Sequence, residues 1–299
     1  MKNLAKRIVL FRFHNNFAVC KNKLEIIKYY NPNIEIYGLF GGETIDLPKA
    51  KRALGKLFVN IYQVPVTDAE WKWQNGDLSL VDWYREVGEG IDFDILHLIE
   101  WDLLELGSFD EIYKHIPADG VGLTGLTPMS HIPKWRWIDK EPWKSQWAEL
   151  LAHVGNKYNY KGIVHGCLGP GNVFPRAFVE AYSKLEVPTL CHEEIRFPLF
   201  AQVLGFKLYD NGFFRDWHNH TDDLFFSCAH DKKEIERSDM DLEMLKITGR
   251  RVFHPCIKIF SFELPEAKVT ICPVLKIILP IDLPRLTKAA RLKKLIADI

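Results

Sequence analysis

RIVLFRFHNNFAVCKNKLEIIKYYNPNIEIYGLF, residues 7–40, contains a complete strand–helix–strand unit. Residues 7–13 are β-branched and aromatic and stop at a polar corner, His14, Asn15 and Asn16. Residues 20–30 carry apolar side chains at helical spacing, and residues 34–40 return to a strand pattern that ends at Gly41 and Gly42. Working outward, residues 57–64 read as a strand, 78–87 as a helix and 95–99 as a short apolar strand. Strands alternating with helices at this spacing predict βαβ units and a mainly parallel sheet flanked by helices, an α/β fold. Beyond residue 105 the expected elements are a strand at 120–126, a strand-like 162–165, a turn at Gly169, Pro170 and Gly171, helices at 175–185 and 193–204, and a strand at 207–209. No Pro- or Ser-rich linker interrupts them, so one elaborated domain over residues 1–262 is expected, followed by a tail, 263–299.

The chain has 299 residues with 39 Lys plus Arg against 39 Asp plus Glu. A net charge of +0 speaks against a dedicated nucleic-acid binder, which needs a basic surplus to neutralise phosphates. With 47% hydrophobic and 26% charged residues, whole-chain disorder is excluded. Six cysteines without a CxxC pair predict reduced, mostly buried thiols rather than a disulfide framework or cysteine zinc site. The first residues lack the apolar length of a signal peptide, and no run approaches the roughly 20 residues of a membrane span. A cytoplasmic protein is the expectation.

Open parallel sheets bind ligands at the carboxyl ends of their strands. In GIDFDILHLIEWDLL, residues 90–104, Asp92 and Asp94 precede the apolar strand, whereas Glu100 and Asp102 follow it around Trp101. An acidic pair one residue apart puts two carboxylates on one side of extended backbone, where they can hold a hard divalent cation. Position therefore selects Glu100 and Asp102. Phe13, His14 and Asn15 after the first strand and Gly41, Gly42 and Glu43 after the second stand where base or ribose contacts are expected, although both segments also read as helix-entry corners. Neither GxGxxG nor GxxxxGK[ST] is present, which removes a Rossmann dinucleotide fingerprint and a P-loop. His218, His220, Asp222 and Asp223 offer a rival cluster for zinc, without an HExxH helix.

Further segments follow in order. Residues 169–178, GPGNVFPRAF, precede CHEEIRF at 191–197 and GFKL at 205–208, and VFHP closes the series at 252–255. Together with the amino-terminal βαβ pattern, this order resembles the GT-A-fold glycosyltransferases, particularly inverting family-2-like enzymes, over roughly residues 5–258. The resemblance implies a nucleotide-sugar half at about 1–105 and an acceptor half at about 106–262. It implies Glu194, or alternatively Glu193, as the base that deprotonates the acceptor hydroxyl. His254 would complete a Mn2+ or Mg2+ site with Glu100 and Asp102, and Gly171 would belong to the segment closing over donor and acceptor. Here the metal motif is ExD rather than DxD, and Glu-Glu replaces the usual Glu-Asp.

Eight of the nine tryptophans lie between Trp71 and Trp147, and indole faces suit the apolar faces of sugar rings. Trp135, Trp137, Trp143 and Trp147 are candidates to line an acceptor cleft; Trp143 and Trp147, four residues apart, also fit a helix face in the core. Residues 276–299 hold six basic and two acidic residues, and 284–299 read as a basic amphipathic helix that packs on the protein or lies on an anionic membrane. The expected activity is metal-dependent hexosyl transfer from a nucleotide-diphosphate sugar to a glycan or glycoconjugate hydroxyl. The alternatives are sugar-nucleotide nucleotidyl transfer and non-catalytic carbohydrate binding.

Overall fold

The computed structural model describes residues 5–219, 223–228 and 234–261. Nine strands occur among them: β1 (Arg7–Phe13), β2 (Glu35–Phe40), β3 (Asn60–Gln63), β4 (Ile95–Glu100), β5 (Leu104–Glu105), β6 (Val121–Pro128), β7 (His165–Pro175), β8 (Leu208–Asp210) and β9 (Val252–Phe253). The helices are α1 (Phe17–Tyr30), α2 (Leu47–Leu54), α3 (Ala69–Gln74), α4 (Gly76–Glu86), α5 (Phe109–Ile112), α6 (Arg136–Asp139), α7 (Trp143–Tyr158), α8 (Arg176–Ser183), α9 (Glu193–Val203) and α10 (Arg237–Leu245).

A seven-stranded mixed sheet in the order β3-β2-β1-β4-β7-β6-β8 forms the centre. Strands β3, β2, β1 and β4 are mutually parallel, β7 runs antiparallel between β4 and β6, and β8 is parallel to β6. The strand order reverses between β1 and β4, a topological switch point whose carboxyl edge is the usual ligand crevice of such sheets. A small β5–β9 ladder stands apart.

Strand alternation sorts the core onto both sheet faces. Ile8 and Leu10 of β1 join Leu96 and Leu98 of β4 in one cluster with Leu80 and Trp83 of α4, Phe178 of α8 and Ile195 of α9. Val9, Phe11 and Phe13 join Ile95 and Ile99 in the opposite cluster with Cys20, Leu24 and Ile27 of α1 and Ala50 of α2. The even-numbered side chains of β1 and β4 therefore face α4 and α9. Arg12 and Glu100 belong to that set.

The βαβ half follows the sequence pattern, with helix α1 beginning three residues earlier than its periodicity indicates. Gly169-Pro170-Gly171 differs: it forms no turn but lies inside β7, an 11-residue strand. The physical reason is that the irregularity is absorbed within the ladder. Register shifts separate Gly122, Thr124 and Thr127 of β6 along β7, Thr124 Oγ donates to the Pro170 carbonyl at 2.7 Å, and Gly171 adopts φ +81°.

Among the described residues no helix is long and apolar enough to cross a membrane, and the cysteines are free thiols. The amphipathic stretch 284–299, and His220 and Asp222 of the rival cluster, lie outside the described residues. Of that cluster, Asp223 pairs with Arg250 and accepts the backbone N–H groups of Phe225 and Phe226.

Candidate active site

Arg12 and Glu100 are register partners on the adjacent parallel strands β1 and β4, one residue from the end of β1 and at the last residue of β4. Their side chains project together toward the start of α9, whose first turn carries Glu193 and Glu194. His192 caps this helix: its Nδ1 accepts the Glu194 backbone N–H at 3.3 Å, and Cys191 before it turns the chain at φ +61°. Two acids in the first turn complement the positive end of the helix dipole, so they have a structural benefit as well.

The two glutamates are held differently. Arg12 Nη1 donates to both oxygens of Glu193, at 2.7 and 3.0 Å, and lies 3.5 Å from Glu100 Oε1. Burial pushes the Glu193 carboxyl up, to about 8, against the pull of Arg12. Burial also opposes the Arg12 charge, but Glu193 and Glu100 outweigh it and raise the guanidinium above its ordinary value. Through this one nitrogen Arg12 holds both oxygens of Glu193, which anchors the guanidinium at the start of α9.

Glu194 is bound instead by neutral donors. Its Oε2 accepts Trp137 Nε1–H at 2.6 Å and its Oε1 accepts the Gly169 N–H at 2.9 Å. Each carboxylate oxygen keeps a further acceptor site. Burial pushes Glu194 to about 7, with the Trp137 and Gly169 donors pulling it back. A carboxylate tuned to this range, with acceptor capacity left over, is suited to taking a proton at neutral pH.

Gly169 brings these groups to one place. A Cβ built on it would lie 3.3 Å from Glu100 Oε1 and 3.7 Å from Oε1 of both Glu193 and Glu194. Gly76, at the start of α4, is equally constrained, because a methyl there would overlap Glu193 Oε2 and the Arg12 guanidinium.

Asp102 follows β4 and faces His254, with Oδ2 3.4 Å from Nε2. His254 Nδ1 lies 2.6 Å from the Ser227 carbonyl, which fixes Nδ1 as a donor and leaves Nε2 facing the carboxylate. Burial disfavours the imidazolium, yet Asp102 outweighs it and holds the His254 pKa well above its ordinary value. Asp102 Oδ1 is buried without a hydrogen-bond partner. An orphaned carboxylate oxygen beside an imidazole nitrogen oriented from behind fits a divalent cation that would take the place of the Nε2 proton. Among the described residues no three His, Cys, Asp or Glu side chains gather tightly enough to form a ligand set, and Glu100 is turned to Arg12. The literal DxD occupies the other end of β4: Asp94 accepts the Lys6 backbone N–H at 2.7 Å and Asp92 pairs with Lys6 at 3.6 Å.

The other sequence candidates distribute as follows. His14 is exposed beside the Trp101 ring, edge-on at 5.5 Å. Phe13 is 2% exposed and stacks on Phe58, so it contributes its carbonyl, which accepts from Gly41 N at 2.8 Å. Asn15 lends its carbonyl to Cys20 Sγ–H, and Asn16 opens α1 in a left-handed conformation without capping it through its side chain. The Gly42 carbonyl accepts from Gln63 Nε2 at 3.1 Å, and Glu43 precedes a short 3-10 turn. Gly171 is buried against Phe213 and Leu103, its carbonyl held by Asn211 Nδ2 at 2.6 Å. Trp143 and Trp147 pack on the core from α7, while Trp137 reaches the site.

Sequence reasoning missed Arg12, Gly76, Gly169 as a carboxylate neighbour, and the Arg196–Asp77 pair beneath them. A charged residue near the carboxyl end of an otherwise apolar strand was the available signal for Arg12.

No protein-family model matches the chain, and no curated protein matches it. Solved structures are similar at low identity. The apo WbbM bifunctional glycosyltransferase is 11% identical over 70% of this chain, with TM-score 0.38, and the chain spans 39% of that protein's length. The galactosyltransferase LgtC, in complex with donor and acceptor sugar analogues, is 14% identical over 64% of this chain and 70% of its own, with TM-score 0.34. Mouse xyloside xylosyltransferase 1 is 13% identical over 69% of this chain and 84% of its own, with TM-score 0.37. Superpositions this loose assign no family or activity, and residue roles come from the geometry alone.

Proposed function

We propose that the chain is a GT-A-like glycosyltransferase that moves a monosaccharide from a nucleotide-diphosphate sugar to a hydroxyl of a glycan or glycoconjugate, with inversion. The observation that carries this reading is Glu194: a carboxylate pushed to about 7, held by Trp137 and Gly169 N–H groups, at the carboxyl edge of the sheet's switch point. The segments GPGNVFPRAF, CHEEIRF, GFKL and VFHP, in that order, support it.

In this mechanism the acceptor hydroxyl donates to Glu194. As its oxygen bonds to the anomeric carbon, Glu194 takes the proton, the bond from that carbon to the diphosphate oxygen breaks, and the nucleoside diphosphate leaves. A base acting directly on the acceptor implies a single displacement. Arg12 fixes Glu193 and draws Glu100 toward it, which keeps the neighbouring carboxylates from crowding the one that must accept the proton. Asp102 and His254 would hold a Mn2+ or Mg2+ ion, whose charge offsets that developing on the diphosphate. His14, Trp101, Gly41, Gly42 and Glu43 would border the nucleotide.

The test is a thermal-shift screen of nucleotide-sugars with and without Mn2+, followed by product analysis. A metal-dependent shift with one donor, lost in Asp102→Asn, and an inverted anomeric configuration by NMR are expected. No shift with any donor overturns the transfer reading, and a retained configuration overturns the role of Glu194 as base.

A further inference from the structure

Arg136, in the one-turn helix α6, holds its guanidinium over an indole cluster. Its Cζ stands 4.4 Å from the Trp137 ring centre, 5.2 Å from Trp143 and 5.8 Å from Trp73. The residue is exposed, and its side chain makes no hydrogen bond or ion pair with any described residue. A cation held over ring faces keeps its charge and its N–H donors, and none of these donors has an acceptor among the described residues. The rings orient this group, and its planar fork matches a carboxylate or phosphate.

The location gives this fork a purpose. Trp137, under Arg136, is the same residue whose Nε1–H binds Glu194, so the free cation and the proposed base are separated by one indole. Trp137 also stacks on His192 at 4.2 Å and 7°, which locks the indole that Arg136 rests on. Burial and the neighbouring arginines keep His192 neutral, so it adds no competing positive charge. Trp73, whose ring also meets Trp137 and His192, is 39% exposed at the same edge. The surrounding carboxylates, Glu100, Asp102, Glu193 and Glu194, would repel an anion, and Arg12 is already committed to two of them. Arg136 has no hydrogen-bond or ion-pair partner among the described residues, and its charge, which already pulls the Glu194 pKa down, can offset that repulsion.

We propose that Arg136 and Trp73 form an acceptor subsite selective for an acidic sugar, one carrying a carboxylate or a phosphate beside the hydroxyl that Glu194 deprotonates. This rests on the transfer reading. The sugar ring lies on Trp73, its anionic group accepts the in-plane N–H donors of Arg136, and its hydroxyl is directed at Glu194.

The test is a titration of the full chain at physiological salt, read by indole fluorescence. The probes are methyl glucuronide and methyl galacturonide against methyl glucoside and methyl galactoside, with glucose 6-phosphate against glucose. At least one acidic probe is expected to bind tighter than its neutral counterpart by on the order of tenfold or more. The carboxylate and phosphate arms separate the two sources. Arg136→Gln keeps a planar group but removes the charge, and is expected to bring the acidic probe to the neutral level, while Arg136→Lys retains part of the preference. Binding that is equal for acidic and neutral probes, absent for every acidic probe, or still selective in Arg136→Gln overturns the proposal. Arg136-dependent selectivity without turnover of any nucleotide-sugar leaves the binding site standing and overturns the transfer reading; turnover confined to neutral acceptors overturns the subsite alone.

Discussion

Arg196 grips Asp77 by both carboxylate oxygens, Nε to Oδ2 at 2.8 Å and Nη2 to Oδ1 at 2.6 Å, with neither side chain exposed. The pair ties α9 to α4, and Tyr182 adds its hydroxyl to Asp77 Oδ2 at 2.6 Å. Arg196 also donates to the carbonyls of Leu190, Cys191 and Gln74. The start of α9, with Glu193 and Glu194, is thereby set against Gly76 and Arg12. Removing one member of a buried ion pair leaves an uncompensated charge. Asp77→Ala is expected to destabilise the fold by about 3–5 kcal/mol, measured by denaturant unfolding; a loss under 1 kcal/mol would mean that α9 is positioned by packing alone.

Gly76→Ala places a methyl into the Arg12–Glu193 contact. The ion pair must separate, and a cost of roughly 1–3 kcal/mol is expected, as for overpacking elsewhere. Gly155→Ala in α7 is the control: nothing lies within 4 Å of the added carbon, and alanine favours the helix. That variant is expected to gain about 0.5–1 kcal/mol. Equal effects at the two positions would contradict the close approach at Gly76.

A methyl at Gly169 would sit between Glu100, Glu193 and Glu194 without striking backbone. Gly169→Ala is therefore expected to fold, with a melting temperature near the parent's, and to lose transfer by tenfold or more because the added carbon occupies the space beside the base, on the order of the loss expected from a small misplacement of reacting groups. Full activity in this variant would move the reacting atoms away from Gly169.

Glu194 serves as a base only when ionised. With its carboxyl pushed to about 7, kcat/KM is expected to rise with pH through that range and level off above it. Glu194→Gln should abolish the rise and lower kcat by roughly 10²–10⁴-fold. A pH profile that is flat from 5.5 to 8.5, about 1.5 units on either side of neutrality, would remove Glu194 from the proton transfer.

Glu105 provides a stability test away from the site. It is buried, its Oε1 accepts the Tyr113 hydroxyl at 2.6 Å, its Oε2 has no partner, and burial pushes its pKa to about 7. The folded pKa exceeds the ordinary 4.5, so the folded state holds the proton more tightly than the unfolded one. Its contribution to stability is complete below pH 4.5 and is lost as pH rises through about 7. Glu105→Gln cannot ionise, so its melting temperature relative to the parent is expected to improve from about pH 5 to about pH 8, across the range in which Glu105 gives up its proton. A constant difference across those conditions would show that Glu105 stays ionised in the fold.

The parallel half was legible because burial on both faces demands continuous apolar runs, and residues 7–13, 34–40 and 95–99 carry them in order. Position along those strands also separated Glu100 and Asp102 from Asp92 and Asp94, which the fold puts at opposite ends of β4. The Gly169 segment was misread as a turn because Gly-Pro-Gly has turn chemistry locally, and only the pairings that flank it, Leu168 and Val173 with β6 and Asn172 with β4, carry it through as part of β7.

Local patterns thus contained the succession of strands in the amino-terminal half, the edge at which a site would form, and the acidic residues standing there. They contained nothing of the partners those residues take. Arg12 and Glu193 lie 181 positions apart, Asp77 and Arg196 119 apart, and Trp137 and Glu194 57 apart. Such pairs arise from how β1, α4 and α9 pack on one another, and a charge buried by that packing acquires its pKa and its hydrogen bonds only there. Periodicity encodes which face of an element is buried, and the assembled core determines what that face meets.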